Sequence, residues 1–370
     1  MPTLKRIGIL TAGGDCPGLH AVIRSVAKEA MGAGLEVVGI EDGFLGLIEN
    51  RCRPLSRADV SGILTVGGTI LGSSNKSNPT RFATGTGPDG KPIFSDVSAR
   101  CLSAIREHRI AAIAVVGGDG SMTVAHQLWE RASAPGMDIH FVGVPKTIDN
   151  DLCGTDITFG FATAVATATD ALDKLHSTAA SHHRVLFAEL MGRNAGWIAL
   201  HAGIASGSDI ILLPEIPFTL ESVCAAAKRR SSHGSRYSIV CVSEGARPVG
   251  GEKIVAKVDP TSPDPIRLGG IAKHLSDTVE AMSGLECRYV VLGHVQRGGA
   301  PVAQDRVLAT QFGHHAVRLL LEGKRHRLVA MQKGALTDIP LTECAGKQRL
   351  VDPSDRLIAA ARGVGTAFGD

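Results

Sequence analysis

The chain has 370 residues, 44% of them apolar and 20% charged, with a formal net charge of +3. That length allows a large core, built as two lobes of one α/β body. The small, scattered positive balance argues against a nucleic-acid or membrane partner, and no run is long and apolar enough to span a bilayer.

Ile7 to Leu10 reads as a strand, and no apolar signal region precedes it. Leu19 to Met31 reads as a helix with Val22, Ile23, Val26, Ala27 and Ala30 on one face. Ser73 to Ser95 breaks the rhythm with Asn, Pro, Thr, Gly and Lys, and is expected to be a mobile loop near a ligand or a surface excursion. Strands follow at Ile110–Val116 and Ile139–Val144. Phe161, Val165, Ala168, Leu172 and Leu175 then step along an amphipathic helix. Further strands are expected at Arg184–Leu190, Ile210–Leu213, Tyr237–Val242 and Arg288–Leu292, with helices at Gly269–Met282 and Val302–Leu321. Val249 to Arg267 is a second irregular stretch. This alternation predicts mainly parallel sheets flanked by helices. The eight cysteines contain no C-x-x-C pair, so reduced core residues of a cytoplasmic protein are expected rather than disulfides or zinc.

Three polar runs carry the chemistry. Gly13-Gly14-Asp15-Cys16-Pro17-Gly18 fills the turn between the first strand and the first helix. It is either a phosphate loop at a helix N-terminus or simply a tight turn. It matches neither the dinucleotide fingerprint nor the P-loop ending, which speaks against a dehydrogenase and a P-loop ATPase. Gly117-Gly118-Asp119-Gly120-Ser121 follows the strand ending at Val116. It offers bare backbone to a polyphosphate and a carboxylate to magnesium; the alternative is a turn closed by an Asx-type bond.

Pro145-Lys146-Thr147-Ile148-Asp149-Asn150-Asp151 follows Phe141 to Val144. In an extended segment Asp149 and Asp151 project to one side, and like charges so placed raise one pKa, which suits a base. The alternative is that both cap the helix near Gly160. Both runs open where α/β sheets bind ligands, at the carboxyl ends of strands. A polyphosphate cradle, a metal-holding carboxylate and a base together read as phosphoryl transfer.

The chain resembles the phosphofructokinases along nearly its whole length. The motifs are GGDCPG at 13–18, GGTILGSSN at 67–75, GGDGS at 117–121, PKTIDND at 145–151, SHHR at 181–184, MGRNAGWIAL at 191–200, SEG at 243–245 and GHVQRGG at 293–299. Lys146 and the Ser-Ser-Asn stretch resemble the branch that mixes ATP-using and pyrophosphate-using members. The resemblance implies that Asp149 takes the proton from the 1-hydroxyl of fructose 6-phosphate. Asp119 would hold Mg2+, with Gly14, Gly118, Gly120 and Ser121 around the donor phosphates. Thr147, Ile148, Met191, Gly192, Arg193, Glu244, His294, Val295, Gln296 and Arg297 would bind the sugar phosphate. Arg184 and Arg288 would reach it from a neighbouring subunit of a homo-oligomer, dimer or tetramer.

The resemblance also implies a phosphofructokinase-like fold of two similar lobes. Residues 1–160 plus 296–346 would bind the donor, and 161–295 plus 347–370 the sugar phosphate. The expected activity is ATP-dependent 6-phosphofructokinase in glycolysis. The alternatives are a pyrophosphate-dependent phosphotransferase, a different kinase sharing Gly-Gly-Asp-Gly, and a non-catalytic sugar-phosphate sensor. Gly120 and Lys146 are the positions that choose the donor: glycine leaves room for the α-phosphate of ATP, where pyrophosphate users carry aspartate. Two departures from the ordinary bacterial pattern stand out. Asn75 occupies the place of an arginine, and His176, His233 and Ser235 replace basic effector positions, although Arg24, Lys28 and Arg57 stay basic. Weak ADP activation and weak phosphoenolpyruvate inhibition are therefore expected.

Overall fold

A computed structural model describes residues 4–133, 136–232, 234, 236–260 and 265–370. The chain opens with β1 (Arg6–Thr11), α1 (Leu19–Gly32), β2 (Glu36–Ile40), the short α2 (Phe44–Ile48) and β3 (Cys52–Leu55). A hairpin of β4 (Phe82–Thr86) and β5 (Pro92–Ser95) lies inside the stretch expected to be irregular. Its strands are only 5 and 4 residues long, and Gly85 interrupts the first, so no alternation stands out in sequence. Next come α3 (Ser98–Glu107), β6 (Ala112–Gly117), α4 (Asp119–Ser133) and β7 (His140–Pro145).

The middle of the chain runs α5 (Phe161–His182), β8 (Val185–Leu190), α6 (Trp197–Ala205), β9 (Ile210–Leu212), α7 (Leu220–Ser232) and β10 (Ser238–Ser243). A second hairpin, β11 (Val255–Val258) with β12 (Ile266–Leu268), replaces the second expected loop. After it come α8 (Ile271–Ser283), β13 (Cys287–Val291), α9 (Ala303–Leu321), β14 (Arg327–Gln332), β15 (Ala335–Pro340) and α10 (Arg356–Gly363).

The strands form a seven-stranded sheet, β15-β14-β7-β6-β1-β2-β3, and a four-stranded sheet, β13-β8-β10-β9. All pairs are parallel except β2–β3 and β14–β15, at the two edges of the larger sheet. The central strands are covered on both faces, so β6 is apolar and buried throughout. Each large side chain buried there contributes about 1.5–3 kcal/mol. Helix α9 packs on α1 and is bolted to α5 by Asp305. That buried carboxylate accepts the Thr163 amide at 2.7 Å and the Thr163 hydroxyl at 2.5 Å.

The sheet order makes β1, β6 and β7 neighbours, which brings the three polar runs together at their carboxyl ends. The amide of Ala12 donates to Val116 O at 2.9 Å, and that of Lys146 to Gly117 O at 3.0 Å. No helix among the described residues is long and apolar enough to cross a membrane.

Candidate active site

A cavity of about 390 Å³ opens at those strand ends, between the two sheets. One wall is Gly13, Gly14, Gly118, Asp119, Gly120 and Ser121. Helix α4 begins at Asp119, so its free amides and the positive end of its dipole face the cavity. A Cβ added at Gly120 would meet nothing within 4 Å, so this glycine borders open space. The Gly13 amide donates to Ser74 O at 3.1 Å, and the Ser73 hydroxyl to Gly13 O at 2.5 Å. These bonds bring Ser74, Asn75, Ser77 and Asn78 into the wall. The buried Lys146 donates its ammonium to Gly14 O. Burial holds that ammonium below the usual lysine pKa, an effect that Cys16, Asp15 and Asp149 oppose.

The segment carrying the two aspartates is a turn, not the extended run the alternation suggested. Asn150 adopts φ 52°, in the left-handed region that asparagine tolerates. Its side-chain oxygen accepts the Thr158 amide at 2.9 Å, and the Thr158 hydroxyl donates to Thr147 O at 2.7 Å. Asp149 and Asp151 both reach the cavity through this bend rather than through strand alternation. Asp149 Oδ1 is closed off from solvent and accepts no hydrogen bond among the described residues. Burial pushes the Asp149 carboxyl above the ordinary range; Arg297 opposes this and Glu244 reinforces it. Asp151 is raised by burial, then by Asp149 and Asp119. Neither aspartate serves as a cap for the helix at Gly160, where no side chain caps α5.

The opposite wall comes from the smaller sheet. Arg193 and Asn194 follow β8 and line the cavity. Their loop packs on Ser243-Glu244-Gly245, with the Gly245 amide donating to Gly192 O at 3.1 Å. A Cβ at Gly245 would overlap the Arg193 carbonyl, so only glycine permits this approach. Lys253 donates to Arg193 O and Asn194 Oδ1, both at 2.7 Å. Burial lowers the Arg193 pKa, and Glu244 opposes that shift. Glu244 itself is raised by burial. Arg297 closes the floor, its Nη1 donating to Asp15 O at 3.0 Å.

A sequence model of one family, Phosphofructokinase, matches residues 6–320. An ATP-dependent 6-phosphofructokinase of Chloroflexus aurantiacus is 46% identical over 99% of this chain and 98% of its own length. The chain belongs to the phosphofructokinase family. Among solved structures, the phosphofructokinase of Saccharomyces cerevisiae superimposes with a TM-score of 0.75 at 31% identity. The match covers 92% of this chain, which spans 45% of that longer one. A pyrophosphate-dependent phosphofructokinase of Nitrosospira multiformis shares the fold, with a TM-score of 0.81 at 20% identity, over 100% and 93% of the two chains.

Not every position singled out in this phosphofructokinase lines the cavity. Ile148 is a core residue, and Gln296 is fully buried, its amide donating to Gly293 O at 3.1 Å. Val295 is 61% exposed. Both follow His294 in a 3-10 turn, Gly293–Arg297, of which only Arg297 reaches the cavity. Met191, Gly192 and Glu244 do not line the cavity. Arg184 and Arg288 lie elsewhere, both bonded to Glu286 Oε1 at 2.8 Å beside the edge strand β13. His176 is engaged internally, with Nε2 at 2.7 Å from Ser206 O. His233 and Ser235 lie outside the described residues.

The oxygen-rich donor set fits a divalent cation carried in on phosphates. Mg2+ typically takes one or two carboxylates plus phosphate oxygens rather than an all-protein cage. Asp119 is such a carboxylate, set beside the open space at Gly120. Sequence reasoning missed Ser77, Asn78, Lys253 and Gln348. The first two lie just past a quoted motif, separated from it by Lys76, whereas nothing local marks the last two.

Proposed function

We infer that this chain phosphorylates D-fructose 6-phosphate at its 1-hydroxyl with ATP, giving fructose 1,6-bisphosphate and ADP in glycolysis. The observation that carries this reading is Asp149 Oδ1, buried and unbonded among the described residues, lining the same cavity as the glycine run of Gly118 to Ser121. A base must keep an acceptor free for the incoming proton, and the raised carboxyl pKa suits it to a hydroxyl. Asp149 takes the proton as the sugar oxygen bonds to the γ-phosphorus. The bond from that phosphorus to the bridging oxygen breaks, and ADP leaves. Mg2+, held by Asp119, would neutralise charge developing on the phosphates.

In this reading Lys146, the α4 amides and Gly14 hold the donor. Arg193 and Arg297 grip the sugar phosphate, as guanidinium forks do. Thr147 lines that subsite and Met191, Gly192 and Glu244 support the Arg193 loop, whereas Ile148, His294, Val295 and Gln296 do not reach the cavity. Residues 1–160 with 296–346 form the donor lobe, and 161–295 with 347–370 the sugar-phosphate lobe. The two sheets draw their strands from those segments, which supports the division. Arg184 and Arg288 serve a neighbouring subunit's site in a homo-oligomer. Their place beside an edge strand with Tyr289 and Val291 exposed supports that role. Eight unpaired cysteines go with a cytoplasmic location.

The test is a coupled assay with fructose 6-phosphate and Mg2+, run with ATP and with pyrophosphate. Pyrophosphate is the donor to compare because Lys146 places an ammonium at the glycine loop. Bisphosphate formed mainly from ATP is expected. A strong preference for pyrophosphate would overturn the donor, and no product from either would overturn the function.

A further inference from the structure

Residues 347–351 lie beyond the part of the chain matched to the family, residues 6–320, yet Gln348 among them lines the cavity. They run antiparallel past the turn carrying Asp149, with Leu152 and Gln348 bridged. The Arg349 amide donates to Asp151 O at 2.6 Å. Its guanidinium donates to Asn150 O through Nη2 at 2.9 Å and Nε at 3.3 Å. That guanidinium also lies 4.5 Å from the centre of the Trp197 ring, and Trp197 Nε1 donates back to Arg349 O at 2.9 Å. Arg349 thus holds the left-handed bend at Asn150 against α6 of the other sheet.

Gln348 spans the cavity between the two walls. Its Nε2 donates to Asp151 Oδ2 at 3.2 Å, and its Oε1 accepts Asn194 Nδ2 at 3.0 Å. A carboxylate only accepts, so the amide must present its nitrogen to Asp151 and its oxygen to Asn194. Asp151 follows β7 of the larger sheet, and Asn194 follows β8 of the smaller one.

We propose that Gln348 is a positioning residue for phosphoryl transfer, linking Asp151 to Asn194 so that the base turn and the Arg193 loop keep one spacing. The proposal rests on the kinase reading above. Gln348 acts through Asp151: an N–H donated to a carboxylate favours its charged form and fixes its direction. Glutamate at this position keeps the size and the acceptor for Asn194 but, when ionised, sets a second carboxylate against Asp151.

The experiment compares Gln348→Glu and Gln348→Ala with the parent, measuring kcat and KM for fructose 6-phosphate from pH 8 to pH 6. Gln348 is exposed, so both variants should keep the parent's unfolding midpoint. At pH 8, Gln348→Glu should lower kcat about tenfold and Gln348→Ala about threefold, with KM changed less than about threefold. As pH falls, the new carboxyl takes up a proton and donates to Asp151 again. The ratio of Gln348→Glu to parent activity should therefore rise toward pH 6, while that of Gln348→Ala, which has no proton to regain, should not rise. A space-filling role would leave Gln348→Glu equal to the parent. An active parent matched by both variants, or a Gln348→Glu ratio that does not move with pH, overturns the proposal alone. A parent that makes no bisphosphate overturns the functional reading and this proposal with it.

Discussion

The guanidinium of Arg297 lies against the bare backbone of Gly14: a Cβ added at that glycine would stand 2.8 Å from Nη1. A glycine in the first loop thus sets the position of an arginine nearly three hundred residues later in the chain.

Gly14→Ala should displace the far end of that flexible arginine with little loss of stability, because Gly14 is not among the positive-φ glycines. A charge-assisted bond is worth about 1.5–3 kcal/mol, so KM for fructose 6-phosphate should rise by about tenfold or more. Initial rates with the sugar varied will check this. An unchanged KM refutes the role given to Arg297.

Asp149→Asn should keep the fold and the sugar affinity while kcat falls by about 10²–10⁴, the usual share of a general base. The parent's pH profile follows from the raised pKa. The working form is the carboxylate, so kcat/KM should fall as pH drops through the raised value. That acid limb should lie above the ordinary aspartate value of about 3.9. The Asn variant should lack the limb. Near-normal turnover in that variant would remove Asp149 from the mechanism.

Gly120→Asp should fold normally, since a side chain there meets open space and the backbone has no positive φ. Its carboxylate would stand where the donor's α-phosphate lies in the ATP reading. ATP use should drop at least tenfold, about 1.4 kcal/mol, and pyrophosphate use should gain relative to it. Comparing kcat/KM for both donors in parent and variant decides the matter.

Arg184 and Arg288 share Glu286, away from the cavity of their own chain. Reassociating Arg288→Ala protein with Asp149→Asn protein should restore part of the activity, because some sites then combine an intact arginine with an intact base. Mixed oligomers that stay inactive at every ratio rule out shared sites.

Much of the fold and of the glycine-lined wall of the cavity was legible in the sequence because their signals are local. Ile113 to Val116 is apolar without interruption, and Gly117 to Ser121 follows at once, so strand, turn and cradle are contiguous. The same holds for Phe141 to Val144 and the segment beginning at Pro145. The two hairpins were missed because isolated strand pairs of three to five residues interrupted by glycine or lysine carry too little alternation. The Asp149 segment was misread for a different reason. Alternation assumes an extended backbone, and the bend at Asn150 depends on Thr158 and Arg349.

The sequence by itself determined the strand-and-helix alternation, the glycine run at 117–120, the aspartate pair at 149 and 151 and the family, since each is written in neighbouring residues. Tertiary structure alone decided that Gln348 meets Asp151, that Arg297 rests on Gly14, and that Arg184 and Arg288 sit apart from the cavity. These contacts join residues brought together by sheet order and by packing between sheets. No short window of sequence carries that information, because glutamine, arginine and glycine are ordinary residues until a distant partner gives them a geometry.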